Sequence, residues 1–474
     1  MRRVASLHRP SVVLAGCAAA RDLRPVRAPA AAASLPRLHS TIARGGHRPL
    51  AGVIAGLLML CIASAAWAGG AYVYEVGSPD MGTAAAGRAA LAADASTTFG
   101  NPAGMTHLSD SQFLVGPVIF QFQSFFDPKR PPSNVSGGAG GNIGGFCPLP
   151  SWGGSAPGGG VYGVYSLRDD LKLGLSINSY VAGSADYDSN WTGRYYVQRA
   201  DILTMNFNPT IAYRFLPWLS VGAGFSIQYA KLVQKVAINN FLDAVGDGRL
   251  IVHDANVGFG GNIGVLFDIN PATRVGLTYR SPVDQGFNDV AKVSNLGPGL
   301  RAVLQAKGLL GKPVDMSLTV PQEILLSGFH QLTPRVAIMG NFGWQNWSAF
   351  GKPELSVSQT SLTVNQHYKD TFSAAGGAQI RVADPFLLSF GFNYDTSAVS
   401  DSNRSPAFYV DEQYRWGLGL QYDWNNALTL GMAYEFLYLG SAPINRSGPI
   451  AGTLVGDYST NMINFVNFTV SYRF

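Results

Sequence analysis

Two arginines, Arg280 and Arg415, are the groups in this chain best placed to do chemistry, because each sits within a run of alternating residues. A guanidinium is a permanent cation with a planar fork of donors, so it can hold a carboxylate through two hydrogen bonds. It can equally pair with a neighbouring Asp or Glu, each group satisfying the other. Beyond residue 68 the chain has four histidines: His107, His253, His330 and His367. None lies near another His or Cys at metal-ligand spacing, so no metal site is expected. There is no Gly-x-Ser-x-Gly elbow and no phosphate-binding loop with its Lys. The Gly-rich stretch 137–160 carries no Lys or Arg and reads as a flexible loop. No cofactor is expected, and no enzyme activity. What remains is binding by cations and apolar surface.

Both arginines sit on strands with two unlike faces. At the C-terminus Phe474, Tyr472, Val470, Phe468 and Val466 share one face, and Arg473, Ser471, Thr469 and Asn467 the other. Over 414–424 Tyr414, Trp416, Leu418, Leu420, Tyr422 and Trp424 oppose Arg415, Gly417, Gly419, Gln421 and Asp423. Over 428–438 Leu428, Leu430, Met432, Tyr434, Phe436 and Tyr438 oppose Thr429, Gly431, Ala433, Glu435 and Leu437. Side chains alternate between faces in a strand. An apolar face banded by aromatics, backed by a small and polar one, suits lipid outside and a wet lumen inside. A soluble sandwich also alternates, but it rarely places three aromatics at the outer ends of one face. By the same parity Arg274, Thr278 and Arg280 face inward and Val275, Leu277 and Tyr279 outward.

Composition agrees. Charged residues make up 13% and aromatics 11%, with 56 Gly, as a Gly-rich barrel wall requires. The net charge of +5 is a property of the leader. Residues 1–68 hold nine Arg and one Asp, which leaves −3 on the rest. The basic pI therefore gives no ground for nucleic-acid binding. Arg44 and Arg48 precede an apolar run from Leu50 to Ile62, and Ala66-Trp67-Ala68 is a small-x-small cleavage site, so 1–68 reads as a signal peptide and Gly69 as the mature terminus. The Ala/Arg/Pro-rich stretch 1–43 exceeds an ordinary leader and fits an over-extended start. Leu14-Ala15-Gly16-Cys17 imitates a lipoprotein box without the apolar run that one needs. Past the leader only Cys147 remains, which excludes an intrachain disulfide.

No window past the leader has 18 consecutive apolar residues, so no spanning helix is expected. Fourteen strand-like segments are predicted near 111–126, 159–168, 171–187, 199–215, 218–238, 256–269, 272–290, 315–332, 335–350, 368–382, 385–397, 411–424, 427–440 and 461–474. Short turns such as Asp169-Asp170 and Thr333-Pro334 alternate with long loops at 127–158, 188–198, 239–255, 291–314, 351–367, 398–410 and 441–460. That asymmetry, with an even strand number, puts both termini on the periplasmic side of an outer membrane. The fold expected is all-β: a 14-stranded antiparallel transmembrane β-barrel over 111–474. The Ala/Gly-rich segment 69–110 is either a plug within it or a periplasmic tail.

The segment GSPDMGTAAAGRAALAADASTTFGNPAGM (77–105) resembles the N-terminal hatch of FadL-type long-chain fatty-acid transporters of the Gram-negative outer membrane. The likeness continues through 208–231, 270–284, 318–350 and the terminal Tyr472-Arg473-Phe474, and covers nearly all of 70–474. It implies a lumen blocked by a hatch. A hydrophobic ligand lands in a groove among the outer loops, passes to an apolar pocket, and leaves sideways where the third strand is kinked. An apolar pocket stabilises such a ligand by roughly 0.8 kcal/mol per buried methylene. The partners implied are a hydrophobic small molecule, outer-membrane lipid and lipopolysaccharide, and the barrel assembly machinery; no nucleic acid is implied, and the protein is expected to be a monomer.

On that resemblance Ala182, Gly183 and Ser184 are the kink candidates, against an ordinary Gly in a Gly-rich wall. Asn101-Pro102-Ala103 is expected to be a rigid corner locking the hatch against the wall beside that strand. Phe241, Leu242 and Val245 on one loop, with Leu300, Val303 and Leu304 on another, are either the landing groove or a loop core over the barrel mouth. Leu300, Val303 and Leu304 lie on one side of a short predicted helix. Arg280 and Arg415 would meet a carboxylate head. Passive uptake of fatty acids is the leading function, with aromatic hydrocarbons or other lipids by the same route as the alternative. A general porin would need no hatch, and an outer-membrane lipase would need a Ser–His pair at the outer surface.

Overall fold

The computed structural model describes residues 72–129, 141–142, 147–149, 153–306, 308–357, 360–363, 365–448 and 451–474. The expected leader and the expected terminus at Gly69 lie outside the described residues. Fourteen antiparallel wall strands follow one another around a ring. They are β1 (Gln112–Pro128), β2 (Gly153–Arg168), β3 (Leu171–Asn178 and Ala182–Asp186), β4 (Arg199–Leu216), β5 (Leu219–Ile238), β6 (Gly248–Asn270) and β7 (Thr273–Arg280, continued as Val283–Val290). Then come β8 (Pro313–Val320 and Glu323–Thr333), β9 (Val336–Gln345), β10 (Thr371–Ala383), β11 (Phe386–Asp395), β12 (Gln413–Asp423), β13 (Leu428–Tyr438) and β14 (Gly452–Arg473). Pairing of β14 with β1 closes the ring, from Gln112 opposite Arg473 to Pro128 opposite Gly456. A closed ring leaves no unpaired edge for lipid to face.

The two faces are as alternation requires. On β12 Trp416 is 45% exposed and Arg415 1%. On β14 Phe468, Val470 and Tyr472 point out, while Asn467, Thr469 and Ser471 are buried. The short turns, such as those between β8 and β9 and between β10 and β11, gather on the side of the barrel that holds Phe474.

Three strands depart from the expected continuous runs. β7 and β8 are interrupted at Ser281-Pro282 and Pro321-Gln322, where a proline cannot donate to the ladder. Ser281 bridges the first gap by exchanging bonds of 2.8 Å with the Gly261 backbone. Beyond these breaks the continuations Val283–Val290 and Pro313–Val320 pair with each other and, with Glu354–Val357 and Thr360–Thr363, form a separate four-stranded sheet. β3 is interrupted at 179–181. Elsewhere the wall is longer than expected. β6 begins at Gly248 because β5 pairs with it out to Ile238, carrying the ladder through Arg249, His253 and Asp254, which read as loop by charge.

Residues 72–108 lie inside the ring, almost wholly buried. They comprise extended residues, a 3-10 turn at Pro79–Thr83, a helical turn at Thr97–Gly100 and a second 3-10 turn at Pro102–His107. The wall accommodates this backbone through inward glycines: a Cβ on Gly276 of β7 would overlap Ala89 O, and one on Gly391 of β11 would overlap Thr83 O. Polar wall residues supply the remaining contacts. Asn467 Nδ2 donates to Ser78 O at 3.0 Å, Ser327 Oγ accepts from Ala89 N at 3.0 Å, and Ser220 Oγ bonds Thr106 Oγ1 at 2.7 Å.

Candidate functional site

The break in β3 is the feature around which the interior is built. Below it Leu171–Asn178 pairs on both sides, with β2 and with β4. Above it Ala182–Asp186 keeps only β4; among the described residues it has no partner on β2. The break falls at Ser179-Tyr180-Val181, immediately before Ala182, Gly183 and Ser184, which are themselves regular strand. The inner segment covers it. Val73 N donates to Tyr180 O at 2.8 Å, and Tyr72 forms an antiparallel bridge with Val181. Thr204 of β4 takes up the Val181 carbonyl through its hydroxyl at 2.7 Å. Buried backbone groups need such partners.

At the break the Tyr180 ring turns fully inward and packs 5.7 Å from Tyr72 and 5.5 Å from Phe99, centroid to centroid. Arg280 reaches it from β7. Its guanidinium lies 3.9 Å from the Phe99 ring centroid and 4.6 Å from that of Tyr180. Arg280 also donates to Phe99 O at 3.1 Å and to the Tyr72 hydroxyl at 3.3 Å, and Tyr72 in turn donates to Glu323 at 2.6 Å. Arg280 is thus a cation on aromatic faces, with no direct carboxylate partner among the described residues.

Arg415 is surrounded differently. Its Nε is 3.1 Å from Glu75 of the inner segment and 3.7 Å from Glu435 of β13, and its Nη1 bonds Asp395 of β11. Tyr74 donates to the same Asp395 at 3.1 Å. Three acids around one cation describe an ion cluster tying the segment to three strands.

The Asn101 corner is held by its own side chain, and its nearest wall strands are β5 and β6. Asn101 Oδ1 accepts from Ala103 N at 3.1 Å, and Nδ2 donates to Ala89 O at 2.7 Å and to Val265 O at 3.1 Å. The corner packs on Gly222 of β5 and Gly264 of β6; Tyr72 and Val73 are what meet the β3 break. Further down, His107 bonds Asp268 at 2.9 Å. Burial holds its imidazole below the ordinary range; Asp268 opposes that shift and Arg274 adds to it.

On the loop side the helix α1 (Pro298–Ala306) forms as predicted. Leu300 and Leu304 are buried against Ile238, Leu250 and Val252, and Val303 is half-buried. Phe241, Leu242 and Val245 stay exposed, at 59%, 51% and 53%. The two loops are joined by Asp243, which accepts from Gly299 N at 3.0 Å. So of the six apolar loop residues Leu300 and Leu304 join a buried cluster, while Phe241, Leu242 and Val245 form an exposed apolar rim. Their loops follow β5 and β7, whereas Arg415 is on β12. Tyr72, Tyr74 and Glu75 were missed because no local pattern marks them; their partners lie hundreds of positions away.

The family profile described as outer membrane protein transport protein (OMPP1/FadL/TodX) matches residues 59–474. Outer membrane protein P1 of Haemophilus influenzae is 28% identical over 416 residues, covering 80% of this chain and 88% of that protein. The long-chain fatty acid transport protein of Escherichia coli is 26% identical over 407 residues, with the same coverage of 80% and 88%. Among solved structures, a Pseudomonas aeruginosa FadL homologue superposes with a TM-score of 0.76 at 18% identity, covering 85% of this chain and 99% of that one. The Pseudomonas putida toluene transporter TodX gives 0.63 at 13%, covering 84% and 99%.

Proposed function

The chain belongs to the outer membrane protein transport family (OMPP1/FadL/TodX), and from that premise we propose that it carries long-chain fatty acids sideways through its own wall. Membership places the protein in the Gram-negative outer membrane as a transporter of hydrophobic compounds. The choice of fatty acid is supported by the curated relatives, several of which carry that name. Segment 69–110 acts as the hatch. A ligand lands on the exposed rim of Phe241, Leu242 and Val245, passes inward beside Leu300, Val303 and Leu304, and leaves at the β3 break just below Ala182, Gly183 and Ser184.

The observation that carries this reading is the loss of pairing between β2 and the outer half of β3. A closed wall forces an apolar ligand through a polar lumen, where nothing repays its transfer. A gap faced by Tyr180, Tyr72 and Phe99 presents rings in place of unpaired backbone. Arg280, lying on two of those rings, would meet a carboxylate head as it passes; Arg415, already held by three acids, would fix the hatch.

The test is uptake of radiolabelled oleate by cells that express the chain and lack their own fatty-acid transporter, with toluene as competitor. Oleate accumulation that toluene does not suppress is expected. Toluene accumulation without oleate would transfer the reading to aromatic hydrocarbons. A rise in permeability to a small sugar, with neither apolar probe taken up, would make the barrel a porin.

A further inference from the structure

A vestibule of about 320 Å³ opens at the short-turn end of the barrel, between residues 91–93 of the inner segment and strands β7 to β11. It lies at the opposite end from the loop rim and has no part in the proposed uptake route. Leu91, Ala92, Ala93, Phe329, Ala337 and Leu387 give it an apolar floor. Three guanidinium groups close over that floor: Arg274 from β7, Arg335 from the β8–β9 turn and Arg381 from β10.

Those cations are unequally satisfied. Arg274 stacks 4.4 Å over the Phe329 ring and its Nη1 is 3.3 Å from His107 Nδ1. Arg381 pairs with Asp423 at 3.1 Å. Arg335 is exposed, and no ion pair holds it among the described residues. Asp423 is taken by Arg381 and Asp268 by His107, so among the described residues neither Arg274 nor Arg335 has a carboxylate in an ion pair. The vestibule therefore presents two guanidinium groups without an ion pair beside an apolar lining. Its volume equals that of roughly ten waters and falls at the lower end of small-molecule sites.

We propose that this vestibule binds an amphiphilic carboxylate from the short-turn side, with its head on Arg335 and Arg274 and its apolar tail over Leu91, Phe329 and Leu387. Outer-membrane barrels turn their short connections to the periplasm, so the ligand comes from there. A guanidinium pair recognises a planar carboxylate by paired donors, and the tail covers surface that water otherwise wets. Both halves are required: an alcohol lacks the charge, and inorganic phosphate lacks the tail.

The test uses the full-length protein in detergent with three photoreactive probes, each carrying a diazirine on a ten-carbon chain: the acid, the alcohol and the phosphate monoester. Cross-links are mapped by peptide mass spectrometry. The acid is expected to label peptides containing 91–93 or Leu387, and the alcohol to label neither. Arg335→Gln should cut that labelling about tenfold, as loss of one charge-assisted hydrogen bond would. Arg335→Lys should restore part of it. Labelling of the loop residues 241–245 should be unchanged by either variant. Acid labelling confined to the loops would overturn this inference and leave the uptake reading standing; no acid labelling anywhere would count against both. Equal labelling by acid and alcohol would reduce the vestibule to an apolar hole, and preference for the phosphate would assign it to a lipid head group, either of which overturns the proposal.

Discussion

Arg415 and Arg280 face the same lumen, yet their surroundings give them different work. Arg415 offsets Glu75, Asp395 and Glu435 at full burial. Replacing it with Met leaves those acids without their cation, at a cost on the order of 3–5 kcal/mol. Arg280→Met loses ring contacts and two hydrogen bonds to neutral acceptors, so it should cost less. The two variants should separate on heat-modifiable gel migration: Arg415→Met should convert to the unfolded band at a clearly lower temperature than Arg280→Met. Equal conversion temperatures would remove Arg415 from the fold's support. Alternation alone turned Arg415 inward on the page of the sequence. It could not supply the partners, because Glu75 lies 340 positions away and side-chain parity says nothing about which distant acid meets which cation.

At the scale of elements, the Asn101 corner is a joint between the inner segment and β5–β6. Asn101→Ala with Pro102→Ala removes three hydrogen bonds of the Asn101 amide and the fixed φ of residue 102. Leaving the buried Ala89 O without the Asn101 amide should cost about 1–3 kcal/mol, whereas Val265 O stays in the β6 ladder. If the corner only helps folding, the amount of barrel in the membrane should fall together with labelled-oleate uptake; if it sets the position of the hatch, uptake should fall at unchanged amounts. Full uptake at normal amounts would leave it without either role. Strand count and facing were legible because lipid on one side and a polar lumen on the other impose period two on the residues themselves. The breaks were less so. Pro282 and Pro321 fall inside 272–290 and 315–332, which read as continuous strands by alternation, and the missing proline donor is what breaks them. Tyr180 and Val181 have good strand propensity, and their break depends on Tyr72 and Val73 meeting their backbone from inside, which no local pattern records. The joint was expected beside β3 for the same reason: its rigidity is local to Asn101-Pro102-Ala103, whereas the strands that it touches are a matter of how the segment threads the ring.

For the whole molecule, a closed wall that is filled is a different object from one that is open. Removing 72–108 should leave a folded barrel, since the ring closes through β1–β14 pairing without that segment, and should raise single-channel conductance well above that of the full chain. Unchanged conductance would mean that the segment does not obstruct the lumen. The central claim, that apolar ligand leaves through the β3 break and that Tyr72–Val73 must move aside for it, is tested most directly by pinning them there. Tyr72 and Val181 are opposed across an antiparallel bridge, a spacing that a disulfide can span. The measurement is uptake of radiolabelled oleate by cells expressing Tyr72→Cys with Val181→Cys, in a Cys147→Ser background, with the cross-link formed and then reduced. The account predicts that uptake is lost when the pair is oxidised and returns on reduction in the same cells; undiminished uptake with the disulfide fully formed would contradict it.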